Sequence, residues 1–262
     1  MAGAPTYLDR ILAAHRASAR IVDAALEASA TDAPVPRGFA AALRRDEGEL
    51  AVIAEIKRRS PSKGDLAADL DPEAVARAYA AGGATCLSVL TDAEFFGGSA
   101  ADLRAARAAT DLPVLRKDFT VCEADVYGAR AMGADAVLLI VAALDGDELA
   151  RFHSLVLNLG MDALVEVHDE TEVRRALDVG ATLIGVNQRD LVTFAVDTDR
   201  AVRVASAIPA GVVAVAESGI DGAIAASRLA GAGYRAVLVG ETLVTAPDQA
   251  AAVRAMRTAV VL

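Results

Sequence analysis

Seven polar side chains stand at or just beyond the ends of short apolar runs, and their types suit proton transfer. They are Glu55, Lys57, Lys117, Glu166, Asn187, Arg189 and Glu217. Ammonium and carboxyl groups can donate and accept protons, so a site that brings them together could perform general acid–base catalysis. A charged residue at the end of a single strand is often only a solvated rim residue. Because five predicted strands end in such residues, a shared site is favoured over five separate rim residues.

The placement of lysine supports this interpretation. Three of the 26 basic residues are lysines, and two of them, Lys57 and Lys117, fall at predicted strand ends, while Lys63 lies in an adjoining loop. Lysine can transfer a proton or form an imine at accessible pH, whereas arginine effectively cannot. In a chain so rich in arginine, this placement indicates chemistry rather than chance.

Two later strand ends predict a phosphate site. Residues 217–220 read Glu-Ser-Gly-Ile and residues 239–242 read Val-Gly-Glu-Thr, so each carries a glycine turn ahead of a predicted helix. Barrel enzymes often hold phosphate after their last two strands with backbone N–H groups. If the glycines are not ordinary turns, the phosphate is expected at Ser218, Gly219, Gly240 and Glu241.

The apolar runs that carry these residues repeat eight times, with charged, helix-patterned segments between them. They begin near Val52, Ala84, Pro113, Asp135, Asp162, Leu183, Val212 and Arg235. Runs that are almost wholly apolar are typical of parallel strands buried on both faces. Eight β–α units predict a closed (β/α)8 TIM barrel with its active site at the carboxyl ends of the strands. A doubly wound open sheet is the rival, but no G-x-G-x-x-G motif follows the first run.

The first part of the chain is expected to be helical. The segment from residue 7 through residue 26 reads as one amphipathic helix, because apolar positions 8, 11, 12, 22 and 26 fall near one face, and residues 31–38, with Pro34 and Pro36, end it. Charges are spread through this segment, which is unlike a signal peptide. We predict one domain over residues 1–262, with residues 1–48 as an N-terminal helical extension of the barrel.

Composition disfavours several classes of protein. The net charge of −10, with six Phe, four Tyr and no Trp, argues against nucleic-acid binding. No apolar stretch approaches the length of a membrane span, and Cys86 and Cys122 fit no zinc or redox spacing. The prediction is a cytoplasmic protein without a metal site, in which His15 and His153 are incidental. His168 could face the pocket, but a helix cap or a satisfied rim residue is the favoured interpretation.

Several segments together resemble the indole-3-glycerol phosphate synthase family. The most specific are residues 53–64, IAEIKRRSPSKG, and residues 113–119, PVLRKDF. Further matching segments follow in order at 90–92, 95–99, 165–168, 185–187, 216–220 and 238–241. The resemblance covers essentially the whole chain. It departs at Gln188, where the family commonly has a second asparagine.

The resemblance implies a lyase of tryptophan biosynthesis that acts on a phosphosugar and needs no cofactor. Its substrate would be 1-(2-carboxyphenylamino)-1-deoxyribulose 5-phosphate, which loses carbon dioxide and water as the indole ring closes. Lys117 would protonate the ketone oxygen. Glu166 and Lys57 would be candidates for the later proton transfers, and Glu55 would hold the lysines as ammonium groups.

The resemblance also implies the binding residues. The substrate would be positioned by Ser60, Pro61, Phe96, Phe119, Leu138, Asn187, Arg189 and Glu217. The phosphate would be held by Lys57 together with Ser218, Gly219, Gly240 and Glu241. Residues 58–64 would form a mobile lid that excludes water. The expected partner is the small-molecule substrate, with neither nucleic acid nor membrane, and the protein would be a monomer or weak homodimer.

Two other functions remain open on the residues alone. A class I aldolase-type lyase could use Lys57 or Lys117 as an imine-forming nucleophile. A non-catalytic phosphosugar-binding protein could retain the barrel without turnover. Barrels host many chemistries, so the fold does not separate these functions.

Overall fold

Eight parallel strands close into a barrel at the centre of the molecule. The computed structural model describes residues 6–45, 49–61, 63–190 and 192–257. The strands are β1 (Ala51–Ile56), β2 (Arg59–Ser60), β3 (Gly64–Asp65), β4 (Cys86–Leu90), β5 (Val114–Lys117), β6 (Ala136–Ile140), β7 (Asp162–Val167), β8 (Leu183–Asn187), β9 (Val213–Glu217) and β10 (Ala236–Val239). The sheet closes because β1 pairs in parallel with both β4 and β10. The predicted barrel is therefore confirmed and the open sheet is excluded.

Helices follow the barrel strands and cover the sheet. They are α1 (Tyr7–Ala17), α2 (Ala24–Asp32), α3 (Phe39–Arg45), α4 (Pro72–Ala81), α5 (Ala100–Ala109), α6 (Glu123–Met132), α7 (Gly146–Asn158), α8 (Glu170–Asp178), α9 (Arg200–Val204), α10 (Ala223–Gly231), α11 (Glu241–Val244) and α12 (Gln249–Arg257). In β6, Val137 and Leu139 pack in the outer core with the helices, whereas Leu138 and Ile140 belong to the barrel interior. This alternation explains why the runs are apolar throughout.

Helix α3 closes the amino-terminal end of the barrel. Phe39 and Leu43 are fully buried in the interior cluster. The backbone N–H of Ala40 donates to Asp162 at the start of β7 (2.9 Å), and that of Arg37 donates to Asp135 just before β6 (2.8 Å). With this end closed, the opposite end, where the polar strand ends lie, is the accessible one.

The N-terminal segment forms two helices before α3, so the prediction of one helix over residues 7–26 was wrong. Helix α1 ends at Ala17, and Asp23 starts α2 by accepting the Leu26 N–H at 2.8 Å. A strong capping residue inside an apolar pattern favours a new helix start. Leu8 and Ile11 are buried on α1, whereas Val22 precedes α2 and Leu26 is half-buried on α2, so the predicted apolar positions do not share one helix face.

Parts of the predicted segments lie outside the described residues. These are residues 1–5 and 46–48 of the N-terminal extension, residue 62 of the predicted lid, and residues 258–262. On either side of residue 62, β2 and β3 pair as a short antiparallel hairpin. Among the helices that are described, none combines the length and apolar character needed to cross a membrane.

Candidate active site

The carboxyl ends of the barrel strands surround a cavity of about 430 Å³. Every residue that the sequence predicted for the site lines this cavity: Glu55, Lys57, Ser60, Pro61, Phe96, Lys117, Phe119, Leu138, Glu166, Asn187, Arg189, Glu217, Ser218, Gly219, Gly240 and Glu241. The carboxyl ends of all strands in a closed parallel barrel lie at the same end of the barrel. Residues up to 186 positions apart in the sequence therefore line the same cavity. The individual roles of these residues remain predictions.

Lys117 lies between two buried carboxylates. Its Nζ is 2.9 Å from Glu166 Oε2 and 2.6 Å from Glu217 Oε2. Burial opposes the charged form, but Glu166, Glu217 and Glu55 outweigh it and raise the pKa of Lys117 above its ordinary value. Lys117 is therefore an ammonium group, which is the form that can donate a proton.

The two carboxylates beside Lys117 have opposite pKa shifts, because their other neighbours differ. Burial raises the pKa of Glu217 to about 7, and its Oε1 has no hydrogen-bond partner among the described residues. For Glu166, burial is outweighed by Lys117, by His168 and by a hydrogen bond from Asn187, so its pKa lies below the ordinary range. Two interacting acids separated in this way can hold one proton between them.

A second lysine–carboxylate pair lies on β1 and its extension. Lys57 Nζ is 2.6 Å from Glu55 Oε1, and both side chains are largely buried. A Cβ at Gly240 would lie 3.0 Å from this Nζ, which places the ammonium group beside the loop after β10. That position fits the predicted contact of Lys57 with a phosphate held at Ser218, Gly219, Gly240 and Glu241.

Gly240 gives the test of this arrangement. A Cβ there would collide with the Glu55 carboxylate as well as crowd Lys57. Gly240→Ala is therefore expected to displace the Glu55–Lys57 pair and lower kcat/KM by about 10²-fold, as for a small misplacement of catalytic groups. Gly231→Ala, where a Cβ meets nothing within 4 Å, is the matched control. Equal kinetics for the two variants would contradict the placement of the pair.

The raised pKa of Glu217 predicts a pH-dependent stability effect. A carboxyl group whose folded pKa exceeds its ordinary 4.5 favours folding while protonated, and this contribution is lost as pH rises from about 4.5 through about 7. Glu217→Gln never ionises, so it is expected to stabilise the protein above pH 7 by about 1–3 kcal/mol. Thermal unfolding at pH 5 and pH 8 checks this; a difference that grows toward low pH would refute it.

Apolar and aromatic side chains form the remaining wall of the cavity. Phe96 and Phe119 lie with ring centroids 6.4 Å apart, and Leu138 lines the same space. Phe194, which the sequence analysis did not predict, also lines the cavity. Its ring packs against Tyr7, with the two ring centroids 4.8 Å apart. The wall suits a flat aromatic ring, and the charged groups at the strand ends suit the polar remainder of a substrate.

The loop after β9 has an unusual backbone at the predicted phosphate site. Ser218 has φ of +67° and Gly219 has φ of +68°, a conformation that is rare for residues other than glycine. Gln188 Nε2 donates to the Ser218 carbonyl at 2.7 Å. Gln188 is the position at which the sequence departs from the family pattern. Its side chain thus holds the backbone of this loop in place.

His15 is tied to the site, so the interpretation of this histidine as incidental was wrong. Its Nε2 lies 2.9 Å from Asp92 Oδ2 and 3.9 Å from Asp118 Oδ1, and both aspartates line the cavity. These three residues have metal-ligand types and lie close enough to hold an ion. All four carboxylate oxygens, however, already accept hydrogen bonds, from His15, the loop backbone, Thr91 and Arg116. The cluster is a structural network that anchors α1.

The fold and the site define the class of protein. A closed (β/α)8 barrel carries buried lysine–carboxylate pairs at the carboxyl ends of its strands, which is an enzyme site of the general acid–base type.

Comparison with known proteins identifies the family. A model of the indole-3-glycerol phosphate synthase family matches residues 7–256. The indole-3-glycerol phosphate synthase of Nocardioides sp. is 58% identical over 206 residues, covering 79% of this chain and 79% of that protein. The protein of the same name from Mycobacteroides abscessus is 50% identical over 259 residues, covering 97% and 94%. The chain belongs to the indole-3-glycerol phosphate synthase family, and the predicted family is confirmed.

A solved structure shares the fold at low sequence identity. Thiamine phosphate pyrophosphorylase from Pyrococcus furiosus superposes with a TM-score of 0.61 and 19% identity, covering 80% of this chain and 95% of that chain. At this identity the likeness concerns the barrel alone.

Proposed function

We propose that the protein closes the indole ring of indole-3-glycerol phosphate. The reaction consumes 1-(2-carboxyphenylamino)-1-deoxyribulose 5-phosphate and one proton, and it releases carbon dioxide and water. The observation that carries the proposal is the buried Lys117 ammonium between Glu166 and Glu217, in one cavity with the Lys57–Glu55 pair. Membership of the family, whose relatives carry this name, supports it.

In the first half of the reaction, the aromatic carbon that bears the carboxylate attacks the ketone carbon. Lys117 gives its proton to the ketone oxygen as the new carbon–carbon bond forms. Carbon dioxide then leaves, and the electrons of the broken bond restore the aromatic ring. The phenyl ring would lie against Phe96, Phe119 and Leu138, which are the apolar part of the cavity.

In the second half, water leaves from the ring-closed intermediate. One group protonates the departing hydroxyl, and another removes a proton from the adjacent carbon. The carbon–carbon double bond of the five-membered ring then forms. Glu166 and Lys57 are the candidates for these transfers, because one is a buried carboxylate and the other an ammonium group. Asn187, Arg189, Glu217, Ser60 and Pro61 would position the substrate.

The phosphate would lie at the carboxyl ends of β9 and β10. Ser218, Gly219, Gly240 and Glu241 line the cavity there, and the Lys57 ammonium beside Gly240 adds positive charge. This local charge matters because the protein as a whole has a net charge of −10 and repels anions.

The raised pKa of Lys117 disfavours this lysine as the nucleophile of an aldolase, because an ammonium group has no lone pair for attack on a carbonyl. Borohydride added with the substrate separates the two functions. A stable adduct on a lysine would support the aldolase.

Indole fluorescence tests the proposed function directly. Purified protein is mixed with the carboxyphenylamino deoxyribulose phosphate, and emission is followed with and without a chelator. A rise that persists in chelator supports the synthase without a metal cofactor. A flat trace, with binding by calorimetry, would favour a phosphosugar-binding protein instead.

Other features of the protein belong to the same proposal. We propose a cytoplasmic monomer or weak homodimer, with residues 1–48 as the extension of a single barrel domain. Light scattering of the purified protein checks the oligomeric state. The predicted lid at residues 58–64 is supported by its position, since Ser60, Pro61 and Lys63 line the cavity.

A further inference from the structure

His168 directly follows β7 and lies two residues after Glu166, a candidate for the later proton transfers. Its side chain is 13% exposed. Nδ1 lies 3.1 Å from Glu172 Oε2, and the same oxygen accepts the His168 backbone N–H at 2.7 Å. The two contacts to one oxygen fix the orientation of the ring.

The other ring nitrogen faces Glu166. His168 Nε2 lies 3.9 Å from Glu166 Oε1, and it is buried without a hydrogen-bond partner among the described residues. Lys117 contacts the other oxygen, Oε2. The Glu166 carboxylate thus has the Lys117 ammonium on one oxygen and the His168 ring on the side of the other, and it also accepts a hydrogen bond from Asn187. A buried ring nitrogen without a hydrogen-bond partner costs folding free energy. Because this nitrogen lies on the side of Glu166, we expect a function of His168 at that carboxylate.

We propose that His168 is a positioning residue for Glu166: fixed by Glu172, its imidazole presents Nε2 to Oε1 and keeps the carboxylate ionised and oriented toward the substrate. The inference rests on the proposed function, in which Glu166 moves a proton. His168 is not among the described residues that line the cavity, so it acts through Glu166 rather than on the substrate.

The charges around His168 agree with this role. Burial alone would lower the pKa of the imidazole, but Glu172 on α8 and Glu166 on β7 outweigh it and raise the pKa above 6.5. Arg200 on α9 opposes them more weakly. These neighbours favour the protonated imidazole, which has Nδ1 beside Glu172 and Nε2 on the side of Glu166.

Nuclear magnetic resonance tests the coupling without reference to activity. The chain has three histidines, so the ring C–H signals can be assigned with His15→Gln, His153→Gln and His168→Asn. The pKa of His168 is expected above 6.5, and it is expected to fall in both Glu166→Gln and Glu172→Gln. A histidine that merely supports the start of α8 would respond to Glu172→Gln alone, and that result would overturn the proposal.

Steady-state kinetics test the consequence for the reaction. Loss of a nearby positive charge raises a carboxyl pKa, so His168→Asn is expected to move the acidic limb of the kcat–pH profile toward neutrality by about one pH unit. The expected loss of kcat at pH 7 is about tenfold, with KM within about twofold, as for loss of a supporting partner. His153→Gln, a buried histidine on α7, is the matched control and is expected to leave the profile in place.

The two arms separate failure of this proposal from failure of the proposed function. If the wild-type protein forms no indole, the proposed function fails, while the titration of His168 in Glu166→Gln still decides the coupling. If the wild-type protein is active and His168→Asn leaves the acidic limb unmoved, the positioning role is refuted.

Discussion

Replacing Lys117 by methionine is expected to lower kcat by about 10⁴-fold while leaving the substrate Kd within a few fold of wild type. Methionine keeps much of the length of the side chain but carries no proton to give to the ketone oxygen. The effect should exceed that of other single changes, because Lys117 contacts both Glu166 and Glu217. Its loss removes the acid and also leaves two buried carboxylates facing one another.

Lys117→Arg separates charge from proton transfer. The guanidinium can keep an ion pair with the carboxylates, but it does not release its proton at accessible pH. We expect Lys117→Arg to fold more stably than Lys117→Met and still to lose at least about 10²-fold in kcat. Indole fluorescence gives kcat, and calorimetry gives Kd. Near-normal turnover in either variant would remove Lys117 from the acid role.

The barrel was predictable because two local patterns determine it. Parallel strands buried on both faces must be apolar throughout, and the helices between them need polar outer faces, so both appear in the sequence. Each of the eight barrel strands begins within two residues of its predicted start, whereas the short hairpin of β2 and β3 was not predicted. The polar residues of the cavity were also predictable in kind, because the carboxyl ends of eight parallel strands meet at one end of the barrel.

Pairings within the cavity could not be predicted in the same way. Lys117 and Glu217 are 100 residues apart, and no local pattern states that they lie in contact while Lys57 pairs with Glu55. These choices depend on side-chain length and on how far each strand projects into the cavity. The sequence interpretation assigned Glu217 only to substrate positioning, and the structure adds its contact with Lys117.

Two further residues were missed because loops and docking place them. Phe194 reaches the cavity through a left-handed backbone conformation, with φ of +59°, after a turn in which Asp190 accepts the N–H groups of Val192 and Thr193. His15 of α1 contacts Asp92 in the loop after β4, 77 residues later in the chain. A helix of mixed charge carries no signal of which end of a barrel it covers.

Glu166→Gln is expected to lower the rate of indole formation by about 10³-fold while leaving the first chemical step largely intact. Glutamine fills the same space and can accept a hydrogen bond from Lys117, so the ammonium stays in place to protonate the ketone. It cannot take up a proton, so the loss of water after decarboxylation should become the slow step. The two halves of the reaction release different products, which makes the distinction measurable.

A single-turnover experiment reads both halves at once, with trapped carbon dioxide for the first and indole fluorescence for the second. In Glu166→Gln, carbon dioxide should appear well before indole, whereas in Lys117→Met both should be slow. Glu170→Gln, an exposed change at the start of α8, is the matched control and should release both products as wild type does. If carbon dioxide and indole slow equally in Glu166→Gln, the carboxylate acts in ring closure itself. Glu166 would then share the first proton transfer with Lys117, 2.9 Å away, and the dehydration would fall to Lys57.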